Sequence, residues 1–131
     1  MSKEPIPFDD WRQVEPWFWD IIDRAGKSPE RLRELLATLN RDELERFDSQ
    51  SEWARAGLSD DDFRAVHGYT RDDMQELAAW IASQGRAYYR QVFDDPKHLP
   101  RLEDIDEQTN FDGVVGAVYQ ERFNEDMPYT G

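Results

Sequence analysis

Apolar residues in this chain recur at intervals of three and four, and no stretch alternates with the period of two that a strand requires. The cleanest stripe lies between Thr70 and Pro100, where Met74, Leu77, Ala78 and Ile81 fall at i, i+3, i+4 and i+7 and share one helical face. Thr70 is placed to cap that helix. Asp73 can return the bond in an acidic variant of the capping box, and Asp72 with Asp73 complements the helix dipole. Gly85 either ends the helix or lets a neighbouring one pack close to it. Tyr88, Val92 and Phe93 carry a second apolar set to Asp95-Pro96, where the helix must stop.

Upstream, the spacing predicts a helix that opens at Pro16 and closes at Gly26, with Phe18, Ile21, Ile22 and Ala25 on its buried face and Trp17 and Trp19 flanking it. Ser28-Pro29 is an N-cap followed by proline at the first helical position, and Leu32, Leu35, Leu36 and Leu39 repeat behind it. Asn40 and Glu43 form a capping box for the next helix. Leu44 and Phe47 begin its apolar face, Ser49-Gln50-Ser51 predicts a bend or frayed middle, and Gly57 closes it. Ser59 is expected to cap a short helix containing Phe63 and Val66, with Asp60, Asp61 and Asp62 in its first turn.

Beyond Pro100 the segment RLEDIDEQTN is acidic and aperiodic and reads as a loop. A last helix follows from Phe111, with Val114, Val115, Val118, Tyr119 and Phe123 at helical spacing, and Met127-Pro128-Tyr129 ends it. The architecture expected is all-α, a single domain of six or seven short helices over residues 11–131. Residues 1–10 are expected to form an extended arm, and an acidic loop to occupy about 101–110. Leu35, Leu36, Leu39, Leu77, Ile81 and Phe93 are expected to be mutually buried.

Composition adds to this picture in two ways. Of 131 residues 38% are hydrophobic, a low share, but 13% are aromatic, so few side chains carry a large buried area and the chain reads as a folded globule. The 29 acidic residues outnumber the 16 basic ones for a net charge of −13, a field that repels phosphate and anionic lipid and favours cationic partners. From Glu103 onward stand eight acidic residues and one basic residue, Arg122. Without cysteine there is no disulfide, thiolate zinc site or cysteine nucleophile. No apolar run reaches membrane-spanning length and no leader or lipidation box is visible, so a cytoplasmic location is expected.

Several short runs form a recognisable series: Phe18-Trp19-Asp20-Ile21-Ile22, Leu36-Ala37-Thr38-Leu39, and Glu43 through Phe47. They are followed by Trp80-Ile81-Ala82-Ser83-Gln84-Gly85-Arg86, by Asp95-Pro96-Lys97-His98-Leu99, and by Ala117, Tyr119 and Met127-Pro128. This series resembles a bacterial domain family of unknown function, over roughly residues 17–128. The chain departs from the family between Phe63 and Tyr69, where one glycine stands in place of a tryptophan-rich stretch ending in a Gly-Gly loop. The resemblance implies an all-α fold and a bacterial cytoplasmic origin, and it brings no catalytic residues.

Candidate chemistry is sparse. Arg86, after Gln84-Gly85 at a helix junction, could fork onto a carboxylate or phosphate, or could pair with Asp72, Asp73 or an acidic loop residue. His67 and His98 lack metal-ligand spacing, so no metal and no cofactor is expected. There is no phosphate-cradling glycine loop, no nucleophile elbow and no basic-aromatic surface for nucleic acid. The leading expectation is a non-catalytic acidic interaction module. It would bind a basic protein through Glu103, Asp104, Asp106 and Glu107, to neutralise a toxin or regulate an enzyme, with Trp11, Trp17 and Trp53 as candidate anchors. The alternative is a small enzyme or ligand-binding domain using Gln84, Arg86 and His67.

Overall fold

The computed structural model describes residues 14–59 and 61–126. Among these the chain forms seven α-helices and no strand: α1 Pro16–Ala25, α2 Pro29–Leu36, α3 Arg41–Ala56, α4 Asp61–His67, α5 Arg71–Ser83, α6 Arg86–Asp94 and α7 Val114–Phe123. Single turns of 3-10 helix at Pro96–His98, Leu102–Asp104 and Glu107–Thr109 punctuate the long connection from α6 to α7. The expected arm at 1–10, Trp11, Asp60 and the Met127-Pro128-Tyr129 terminus lie outside the described residues.

Local chemistry sets most helix starts. Ser28 Oγ accepts from the Arg31 N–H at 3.2 Å. The Asn40 box is complete, with Asn40 Oδ1 accepting from Glu43 N at 2.8 Å and Glu43 Oε1 accepting from Asn40 N at 2.9 Å. At Thr70 only the forward half forms: the hydroxyl accepts from Asp73 N at 3.1 Å. Aspartate is one methylene shorter than the glutamate that closes the box at Asn40. Gly26 ends α1 in the left-handed conformation, and Lys27 follows it at φ 65°.

Three expectations need correction. The six-residue cluster is half right: Leu36, Leu77 and Ile81 are fully buried, while Leu35, Leu39 and Phe93 pack at the margin. The reason at Leu39 is that α2 ends at Leu36, and the N–H groups of Thr38 and Leu39 turn back to carbonyls three residues earlier, which swings Leu39 off the stripe. Second, α3 does not break at Ser49-Gln50-Ser51. Gln50 Oε1 accepts from the Glu15 N–H at 2.7 Å, tying the middle of α3 to the start of α1. Third, the anchor of α6 is Tyr89 rather than Tyr88. Tyr89 is fully buried, its ring centroid lies 4.9 Å from that of Trp19, and its hydroxyl donates to the Ala54 carbonyl at 2.7 Å. Burial drives the phenol's pKa above its usual range.

The core gathers where α5 lies against α3 and α6, α7 covers α2 and α3, and α1 touches α2, α3 and α6. Trp19, Tyr89, Tyr119 and Phe18 are its largest members, so four rings supply much of the buried area. Among the described residues the Trp19 indole N–H meets no acceptor, a buried polar cost tolerated for the area the ring contributes. No helix among the described residues is long and apolar enough to cross a membrane.

Candidate functional site

The residues of the ligand-binding alternative are dispersed among separate structural duties. His67 ends α4, and its Nε2 donates to the Leu99 carbonyl at 3.0 Å. Gln84 donates to Thr109 Oγ1 at 3.2 Å and to the Trp80 carbonyl at 3.2 Å, which ties the end of α5 to the acidic segment. Arg86 opens α6 with an exposed side chain, while its backbone N–H donates to Asp23 Oδ1 at 3.2 Å.

That last contact explains Gly85. It has φ 112° and ψ 167°, and a Cβ placed on it would stand 2.7 Å from Asp23 Oδ1. Asp23 of α1 therefore caps α6 from another part of the chain, and only glycine leaves room for it.

The acidic segment is an ordered strap rather than a free loop. Trp80 Nε1 donates to the Asp106 carbonyl at 2.9 Å and to Thr109 Oγ1 at 3.0 Å. The Asp106 carboxylate caps its own turn by accepting from Gln108 N at 3.0 Å, and Leu102 N donates to the Tyr69 hydroxyl at 3.0 Å. Asp106 thus has a local structural duty as the cap of its own turn. Glu103, Asp104, Asp106 and Glu107 are all exposed. Glu107 stands beside Glu76 of α5: interaction with the Glu107 carboxyl first, then burial and the nearby Asp73 and Asp112 charges, raise the Glu76 pKa above its usual range.

Further along, three of the four acids are matched. Glu121 pairs with Arg33 at 2.5 Å, Glu125 with Arg41 at 2.9 Å and Asp112 with Arg55 at 3.2 Å. Glu103 in turn lies 3.8 Å from Arg101, so among the described residues the acids of the C-terminal third outside an ion pair are Asp104, Asp106, Glu107 and Asp126, with Glu76 of α5 beside Glu107. The proposed aromatic anchors are already engaged: Trp17 packs edge-on against Phe47 with the Arg46 guanidinium 4.9 Å from its centroid, and Trp53 is half-buried against the core.

Sequence reasoning missed a cavity of about 150 Å³ between α1, α3, α5 and the start of α7. Phe18, Phe47 and Phe111 line it, small residues such as Ala82 and Gly116 leave the space open, and Asp48 and Arg55 bring charge to it. Asp48 stands four residues after Leu44 on the buried side of α3, which is the signal that could have pointed to it. Burial first, and the Glu52 charge one turn on, push the Asp48 carboxyl above the usual range, with Arg55 opposing.

Among the described residues, fold and surface together define an all-α domain with a largely unpaired acidic face and a small charged cavity. Residues 14–125 match the family model described as a protein of unknown function (DUF4240), and the chain belongs to that family. Comparison with curated proteins and with solved structures gave no match.

Proposed function

We propose that this chain is a non-catalytic, cytoplasmic interaction module whose acidic face, built from Glu76, Glu103, Asp104 and Glu107, binds a basic protein and so neutralises or regulates it. The observation that carries the reading is the convergence of Glu76 and Glu107 on a strap held by Trp80. Two carboxyls brought together at an exposed surface destabilise the free domain, and a cation from a partner relieves that repulsion. Rim charges of this kind act mainly on association rate and its salt dependence. Rigid anchoring of the strap keeps the charges in one arrangement, which lowers the ordering cost of binding.

The test is retention of basic proteins from a native lysate on the immobilised domain, at low and high salt. Wild type is compared with a variant carrying Glu76→Gln, Glu103→Gln, Asp104→Asn and Glu107→Gln. A basic protein held by the wild type at low salt, and associating roughly tenfold or more slowly with the variant, supports the reading. Equal retention by both proteins, or retention indifferent to salt, overturns it. Asp106 is left in place so that the capping of its turn is unchanged.

A further inference from the structure

We propose that the cavity bordered by α3, α5 and the start of α7 binds a small ammonium group, a primary or methylated amine on a short apolar stem. The size sets the first limit. A cavity of about 150 Å³ compares with an engineered one that holds benzene, so the occupant has on the order of six non-hydrogen atoms. Apolar atoms of such a ligand meet Phe18, Phe47 and Phe111, with the Phe18 and Phe47 centroids 4.8 Å apart. Aromatic faces also attract a cation, and a methylated ammonium most of all.

The charges choose the sign. Arg55 is the cavity's cation, and its guanidinium already lies 3.2 Å from Asp112, so an anionic ligand would have to break that pair. Asp48 has no such partner: no described residue donates a hydrogen bond to it, and its charged neighbours are Glu52, Asp112 and the committed Arg55. An ammonium at Asp48 supplies a charged donor and offsets the two carboxylates around it. Retaining a half-buried, unpaired carboxylate where an asparagine would fit costs stability, and such costs concentrate at sites kept for binding. The cavity meets the acidic face only through Asp112, so the two proposals stand or fall separately.

The experiment follows backbone amide shifts by NMR as n-butylammonium, tetramethylammonium or neutral 1-butanol is added to the full chain. Saturable shifts at Ser51, Ala82, Gly113 and Gly116 with either ammonium, without matching changes at Glu103–Glu107, are expected. Asp48→Asn should weaken that binding by about tenfold or more, the loss of one charge-assisted contact. The asparagine variant is expected to fold at least as well as wild type, and its amide spectrum verifies this. A lysine-containing peptide that binds more tightly than butylammonium, and loses the excess in Glu76→Gln/Glu107→Gln, assigns the amine to a protein side chain; equal affinities assign it to a free small molecule. Absence of cavity shifts with both ammoniums, or equal binding of 1-butanol that ignores Asp48→Asn, overturns the proposal.

Discussion

Replacing Gly85 by alanine tests the joint between α1 and α6 directly. The backbone there has φ 112° and ψ 167°, a region open essentially to glycine alone, and holding alanine in it costs about 1–3 kcal/mol. The new Cβ would stand 2.7 Å from Asp23 Oδ1, so the aspartate must turn away and the Arg86 N–H loses its cap, worth about 1 kcal/mol more. The sum is about 2–4 kcal/mol, which for a domain this size lowers Tm by roughly 10 °C. Asp23→Ala alone should cost only the cap, about 1 kcal/mol. The double variant should then be no worse than Gly85→Ala, because the cap is lost already, giving a coupling of about 1 kcal/mol. Thermal and denaturant melts of the four proteins measure all of this. A neutral or stabilising Gly85→Ala, or two costs that simply add, would refute the trans-cap.

Three further outcomes are expected. Asp48 has a folded pKa raised above the usual aspartate range, so between those two values the folded state holds more protons than the unfolded one, and stability falls as pH rises. Asp48→Asn lacks this slope and should be the more stable protein at neutral pH; a denaturant-midpoint gap no wider at about pH 7 than at about pH 4 counts against it. Leu36→Ala and Ile81→Ala should each cost roughly 2–5 kcal/mol, while Leu35→Ala and Leu39→Ala at the margin cost less than about half as much by the same melts. Lys27→Gly should stabilise by about 1 kcal/mol, because Lys27 is exposed and holds φ 65°; an unchanged melt would show that no strain resides there.

What could be read from the sequence was whatever a few neighbouring residues decide. The caps at Ser28, Asn40 and Thr70 act within one turn, and the proline at each of α1 and α2 acts on its own position, so these starts were legible. Membership of a helical stripe was legible too, but depth was not. Tyr88 and Tyr89 are adjacent, and only the arrival of Trp19 and Ala54 from elsewhere decides which ring is buried. The role of Gly85 depended on Asp23, which no local pattern connects to it. Net charge misled in a similar way: Glu121 and Glu125 count toward an acidic tail in the sequence but face Arg33 and Arg41 across the fold. The cavity was invisible because its emptiness comes from small residues on different helices, each unremarkable where it stands.

The seating of α7 bears on how the chain is made. Arg33 reaches Glu121, Arg41 reaches Glu125, and the Arg122 guanidinium donates to the Leu39 carbonyl, so the link between α2 and α3 is secured by residues more than eighty positions later. On the ribosome, α2 and α3 emerge long before the helix that covers them. Until it arrives, the faces of α2 and α3 that it covers stay open. Such distant contacts slow folding and leave apolar surface in view during synthesis. The exposed arginines along that seam keep the waiting half-domain charged, and the same side chains later seat its final helix.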